Sequence, residues 1–124
     1  MKSRYECDEG KLAHYTCFRT GKKIDIDGGL DKPAWREATK SHRFVDLVSG
    51  VPGFLDTRMA SLWDDENLYV AFWVDEPNAQ ARLKERDSLV WTENDVEIFI
   101  GGEKVLDKGR IVCYIVKSQS LFEP

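Results

Sequence analysis

The sequence predicts an all-β protein, a sandwich of short strands with one short helical turn near residues 31–38. Three observations predict it. Six alternating or β-rich runs recur along the chain with turn residues between them, and only one stretch carries a helix-start signal. Glycine and proline are scattered singly, so neither a linker nor an internal repeat divides the chain. At 124 residues the whole chain, 1–124, reads as a single domain, since one core usually occupies about 100–150 residues.

The first run, Ile24-Asp-Ile-Asp, alternates and stops at Gly28-Gly29, a strand-to-turn signal. Leu30 to Ala38 then reads as one or two helical turns. Asp31 is placed to cap the free amide groups, and Pro33 sits where its missing N–H costs little. Arg43 to Val48 alternates again. Thr57–Trp63 and Leu68–Val74 form a hairpin around the polar turn Asp64-Asp-Glu-Asn67. In the second of these strands Leu68, Val70, Phe72 and Val74 share one face, and Tyr69, Ala71 and Trp73 the other. Both faces are apolar, which predicts a central strand covered on both sides. Pro77 ends it, and Asn78 to Arg86 is a polar loop or short helix. The last two strands are Val90 to Ile100, closing at Gly101-Gly102, and Arg110 to Val116.

Composition narrows the function. With 18 basic and 22 acidic residues the chain carries a net charge of −4, without the basic footprint of a nucleic-acid or anionic-membrane binder. Neither is an expected partner. The longest apolar run, Leu68 to Val74, is seven residues against the about 20 that a membrane helix needs. The amino end lacks the apolar stretch of a secretory signal, which predicts a cytoplasmic protein, or a secreted one whose leader has been removed. Three cysteines, Cys7, Cys17 and Cys113, leave at least one thiol free. The reading is three reduced structural thiols, with a Cys7–Cys17 bridge as the alternative.

The chemistry concentrates between Trp91 and Ile100. With a period of two, Val96, Ile98 and Ile100 face a core, and Glu93, Asp95, Glu97 and Phe99 the opposite side, with Trp91 on the same parity upstream. Three successive carboxylates on one face repel one another, and folding does not call for them. A pyranose suits such a surface. Its C–H face stacks on an aromatic ring, and its hydroxyls donate to charged acceptors at about 1.5–3 kcal/mol each. A solvated acidic face beside a packed tryptophan is the plain alternative. No nucleophile elbow, phosphate loop or zinc signature occurs. His14 and His42 lack a ligand partner at useful spacing, and Asp25-Ile-Asp27-Gly28 opens like a calcium loop without its later ligands.

Three blocks in order, Ile26-Asp-Gly-Gly-Leu-Asp-Lys-Pro-Ala-Trp35, Leu62-Trp-Asp-Asp-Glu-Asn-Leu-Tyr-Val-Ala71 and Trp91-Thr-Glu-Asn-Asp-Val-Glu-Ile-Phe-Ile100, resemble the family 9 carbohydrate-binding modules. Tyr15 to Thr20 looks like the opening strand of the free-standing branch, and the resemblance covers about residues 12–102. It implies a jelly-roll-like β-sandwich that grips xylan- or glucan-type mono- or oligosaccharides between two aromatic rings, in the service of polysaccharide breakdown. Structural calcium is implied as well, with no ligands assigned to it. By position Trp91 resembles one sandwiching tryptophan and Glu97 the carboxylate that holds the sugar hydroxyls, with Asp95 and Glu93 as neighbours. Trp35 and Trp63 match positions that look like core, and Trp73 also reads as core. Residues 103–124 depart from the pattern, so the sandwich reads as incomplete at its C-terminal end, with sheet edges open to self-association.

Two other functions compete. Glu93 and Glu97 could serve as the carboxylate pair of a glycoside hydrolase acting on O-glycosyl bonds. Four residues along a strand span ~13 Å, so those side chains would have to lean together to reach even the roughly 6.5–9.5 Å of an inverting pair. The divergent tail instead suits a structural or protein-interaction sandwich that has lost its sugar site.

Overall fold

The computed structural model describes residues 13–46, 49–53, 55–101 and 112–118. In chain order they form β1 (Phe18–Arg19), α1 (Pro33–Glu37), β2 (Thr57–Trp63), β3 (Leu68–Val74), a 3-10 turn at Val90–Thr92, β4 (Asp95–Gly101) and β5 (Val112–Ser118). The protein is strand-rich with little helix, as an all-β reading requires. Among the described residues no helix is long and apolar enough to cross a membrane. The chain divides into two compact units, one within Met1–His42 and Arg58–Trp73, the other within Arg43–Thr57 and Val74–Pro124.

The first unit centres on a mixed sheet ordered β1-β2-β3. The predicted hairpin forms with the same bounds. Its turn is closed by Asp64, whose Oδ1 accepts the N–H groups of Glu66 and Asn67, each at 2.8 Å, while Tyr69 Oη donates to Oδ2 at 2.8 Å. β1 lies parallel to β2, pairing Phe18 with Leu62 and Arg19 with Trp63. Among the described residues the central strand is therefore β2, buried from Met59 to Leu62, and not β3, which lies at the end of the sheet and buries only Ala71. Two apolar faces on β3 predict cover, but strand order is set by where the distant β1 docks, and β1 docks on β2.

The core gathers Ile24, Ala34, Trp35, Ala60, Leu62 and Ala71, with Leu30, Ala38, Tyr69 and Trp73 packed against it. Tyr69, Ala71 and Trp73 thus face inward together. Trp35 meets Trp73 edge-on at 6.4 Å and 82°, the arrangement that ring quadrupoles favour. Lys40 Nζ stands 4.1 Å over the Trp73 ring. Trp63, expected in the core, is instead exposed at the end of β2, with the Arg19 guanidinium 5.7 Å from its ring centroid.

Helix α1 is shorter than its pattern. Pro33 occupies the first turn as predicted, but Lys32 is the cap residue and no side chain caps the helix, so Asp31 does not perform that role. Ile24–Asp27 is not a strand. Its turn does form, with Gly28 at φ +79° and the Gly29 N–H donating to Asp27 Oδ1 at 2.9 Å. The described part of Arg43–Val48 contributes a single antiparallel bridge, Val45 to Pro52, and Leu47 and Val48 lie outside the described residues. Cys17 is a free thiol, 3.2 Å from Ser61 Oγ. A free Cys17 overturns the alternative Cys7–Cys17 bridge, while Cys7 itself and the side chain of Cys113 lie outside the described residues.

Candidate carbohydrate-binding surface

The sequence-predicted site falls within the second unit, but it is built differently from a single strand. Trp91 does not lie on a strand. The Thr92 and Glu93 N–H groups donate to the carbonyls of Leu89 and Val90, each at 3.0 Å, and the Thr92 hydroxyl donates to Leu89 O at 2.7 Å. These bonds wind Val90–Thr92 into a 3-10 turn, and extended structure starts only at Asp95. The period of two therefore does not carry from Trp91 to Glu97. Trp91 nevertheless faces water, 59% exposed, with Leu89 and Val90 exposed beside it in sequence.

Of the three carboxylates, Glu93 has a defined task. Its Oε2 accepts the N–H of Arg82 at 2.6 Å and that of Leu83 at 3.2 Å, and its Oε1 accepts Arg82 Nε at 3.2 Å. The side chain keeps only 12% of its exposure. The Arg82 amide holds the Glu93 carboxyl below the usual carboxylate range, helped by the Leu83 amide and the Arg82 guanidinium against a partial loss of water. Asn94 continues the attachment. Its N–H donates to Gln80 O at 3.2 Å, its Oδ1 accepts the Gln80 N–H at 2.9 Å, and its Nδ2 donates to Glu76 Oε2 at 3.0 Å.

Asp95 and Glu97 open β4, which pairs antiparallel with β5, Asp95 opposite Ser118 and Glu97 opposite Val116. Both Asp95 carboxylate oxygens are shielded from solvent. Glu97 is half-buried, and among the described residues no hydrogen bond engages its carboxylate. Among the described residues the expected core face is not buried as a whole: Val96 is half-buried. Ile98 and Ile100 are exposed, as is Phe99 on the other parity, because a two-stranded ribbon presents both faces.

The clamp residues Glu76, Gln80 and Arg82 are missing from any periodicity-based reading, since they lie in a polar segment without regular pattern. One signal was present. Asn94 interrupts the supposed strand with a residue that is depleted in strands and frequent in turns.

Among the described residues no three His, Cys, Asp or Glu side chains group around a point that could hold an ion. Asp27, in the segment resembling a calcium loop, is engaged by the Gly29 N–H and by Lys32. With Asp27 so engaged, the segment 25–28 does not fit a calcium donor set. Comparison with protein-family models, with curated proteins and with solved structures gave no match in any of the three.

Proposed function

We propose that the protein is a non-catalytic carbohydrate-binding domain whose ligand surface is the Trp91 turn together with Glu97 of β4; the shielded oxygens of Asp95, read from the sequence as a ligand, are withdrawn from that surface. One observation carries this reading. A turn closed by its own hydrogen bonds, and tied through Glu93 and Asn94 to the segment 80–83, holds an indole in water just ahead of Asp95 and Glu97. Leaving more than half of an indole solvated forgoes on the order of 2–3 kcal/mol of burial, a loss that stacking on a sugar face recovers. Glu97, which makes no hydrogen bond among the described residues, is the carboxylate we assign to ligand hydroxyls.

The three-block resemblance supports the same function, and with it a jelly-roll-like sandwich and a xylan- or glucan-type ligand. The geometry favours binding over hydrolysis. Glu93, the partner that a Glu93/Glu97 catalytic pair needs, is already committed to two backbone amides and a guanidinium.

Titration calorimetry with xylose, glucose and their short oligomers tests the proposal. Wild-type protein gives a saturable heat. Trp91→Ala binds about tenfold more weakly or not at all, with its circular dichroism unchanged. Equal heats from the two proteins would remove Trp91 from the site.

A further inference from the structure

The Glu93 side chain keeps only 12% of its exposure, and its bonds run inward. Both oxygens are occupied, one by two consecutive backbone N–H groups and the other by Arg82 Nε. Arg82 Nη2 in turn donates to Gln80 Oε1 at 3.2 Å, and Asn94 ties Gln80 and Glu76 to the same stretch. Among the described residues, the charged groups facing Glu93 are the Arg82 guanidinium directly and Glu76 by way of Asn94, with Asp95 two positions along the chain at the start of β4. Glu93 also closes the Trp91 turn, because its own N–H donates to Val90 O. Side chain and backbone of this one residue therefore join the turn to the 80–83 segment.

We propose that Glu93 is a positioning residue for the Trp91 surface: it clamps Arg82 and Leu83 beside the turn, fixes the presentation of the indole, and does not itself touch ligand. The proposal rests on the carbohydrate reading for its consequence but not for its existence, since the clamp is a property of the ligand-free protein. A carboxylate suits this task better than an amide, because it accepts from two backbone donors and a guanidinium at once. A binding surface needs such support, because a loosely held anchor must be ordered each time ligand arrives.

The test compares wild type, Glu93→Ala and Glu93→Gln by amide hydrogen exchange and by the Trp91 indole N–H resonance, both without ligand, and by calorimetry with xylo- and gluco-oligosaccharides. In Glu93→Ala the Arg82 and Leu83 amides lose roughly tenfold or more of their protection, while those of β2 keep theirs. The Trp91 resonance shifts or broadens, and sugar affinity falls roughly tenfold. Glu93→Gln, which keeps one acceptor oxygen, restores protection and affinity together in part. Unchanged protection in Glu93→Ala overturns the clamp. A loss of affinity with the free-state Trp91 resonance in place overturns the positioning role and makes Glu93 a ligand. If no sugar binds wild-type protein, the carbohydrate reading fails, and the exchange and indole signals decide the clamp by themselves.

Discussion

At the scale of single residues, two backbone positions carry opposite predictions. Gly28 sits at φ +79° in the turn that Asp27 closes onto the Gly29 N–H, and a Cβ there would meet no atom within 4 Å. Any cost of Gly28→Ala is therefore conformational and not steric, about 1 kcal/mol for an L-residue in the left-handed region. Asp87 occupies the same region, φ 62°, in the exposed turn where the Ser88 N–H donates to Glu85 O. Asp87→Gly relieves that strain and is neutral or stabilising by a few tenths of a kcal/mol, the greater chain freedom of glycine offsetting part of the gain. Urea unfolding of the two variants checks both signs, and a destabilised Asp87→Gly would show that the aspartate holds the turn by contacts that outweigh its backbone strain.

At the scale of elements, the turn of the β2–β3 hairpin is held by one carboxylate beside the backbone bond from the Asp64 N–H to Asn67 O at 3.0 Å. Asp64 accepts from Glu66, Asn67 and Tyr69, and these bonds, that from the Glu66 amide first, hold its pKa below the usual value. The same contact raises the Tyr69 hydroxyl. A folded pKa below the unfolded one means that the contribution is complete above about pH 4 and fades as pH falls through the folded value. Asp64→Ala is accordingly less stable than wild type at neutral pH, and the difference between their urea midpoints narrows on acidification toward pH 2–3. A constant difference would assign the turn to backbone geometry alone. This hairpin was also the most legible part of the sequence, with its bounds recovered as read, because alternation and a polar turn are local signals. Of the strand expected over Val90–Ile100, the part from Asp95 onward forms, and Val90–Asn94 does not, for the converse reason. A period of two ran by chance through Trp91 and Glu93, while hydrogen bonds to Leu89, Val90 and residues about ten positions upstream bent the chain into a turn.

At the scale of the whole molecule, the question is how little apolar volume the described core contains. Its buried hydrophobic residues are Ile24, Ala34, Trp35, Met59, Ala60, Leu62 and Ala71, so alanine fills positions where a larger side chain would bury more. Trp35 makes the difference. At 3% exposure it is the bulkiest of the seven, and it packs against Trp73 from a helix of only five residues, too short to persist without that contact. The ion pairs do not change this balance. Arg19–Asp65, Lys23–Asp25 and Arg86–Asp87 lie in water, where such pairs contribute little. Trp35→Ala is therefore expected to cost about 3–5 kcal/mol, a large share of the roughly 5–15 kcal/mol that hold a domain of this size. Trp63→Ala, at the exposed end of β2 beneath Arg19, costs about 1 kcal/mol or less. Sequence pattern alone treats these two tryptophans alike, because each begins or ends a plausible element and only the docking of α1 on the sheet separates them. Urea titration of both variants, followed by circular dichroism, measures the gap. Equal losses would mean that α1 does not anchor the core and that Trp63 is buried in solution.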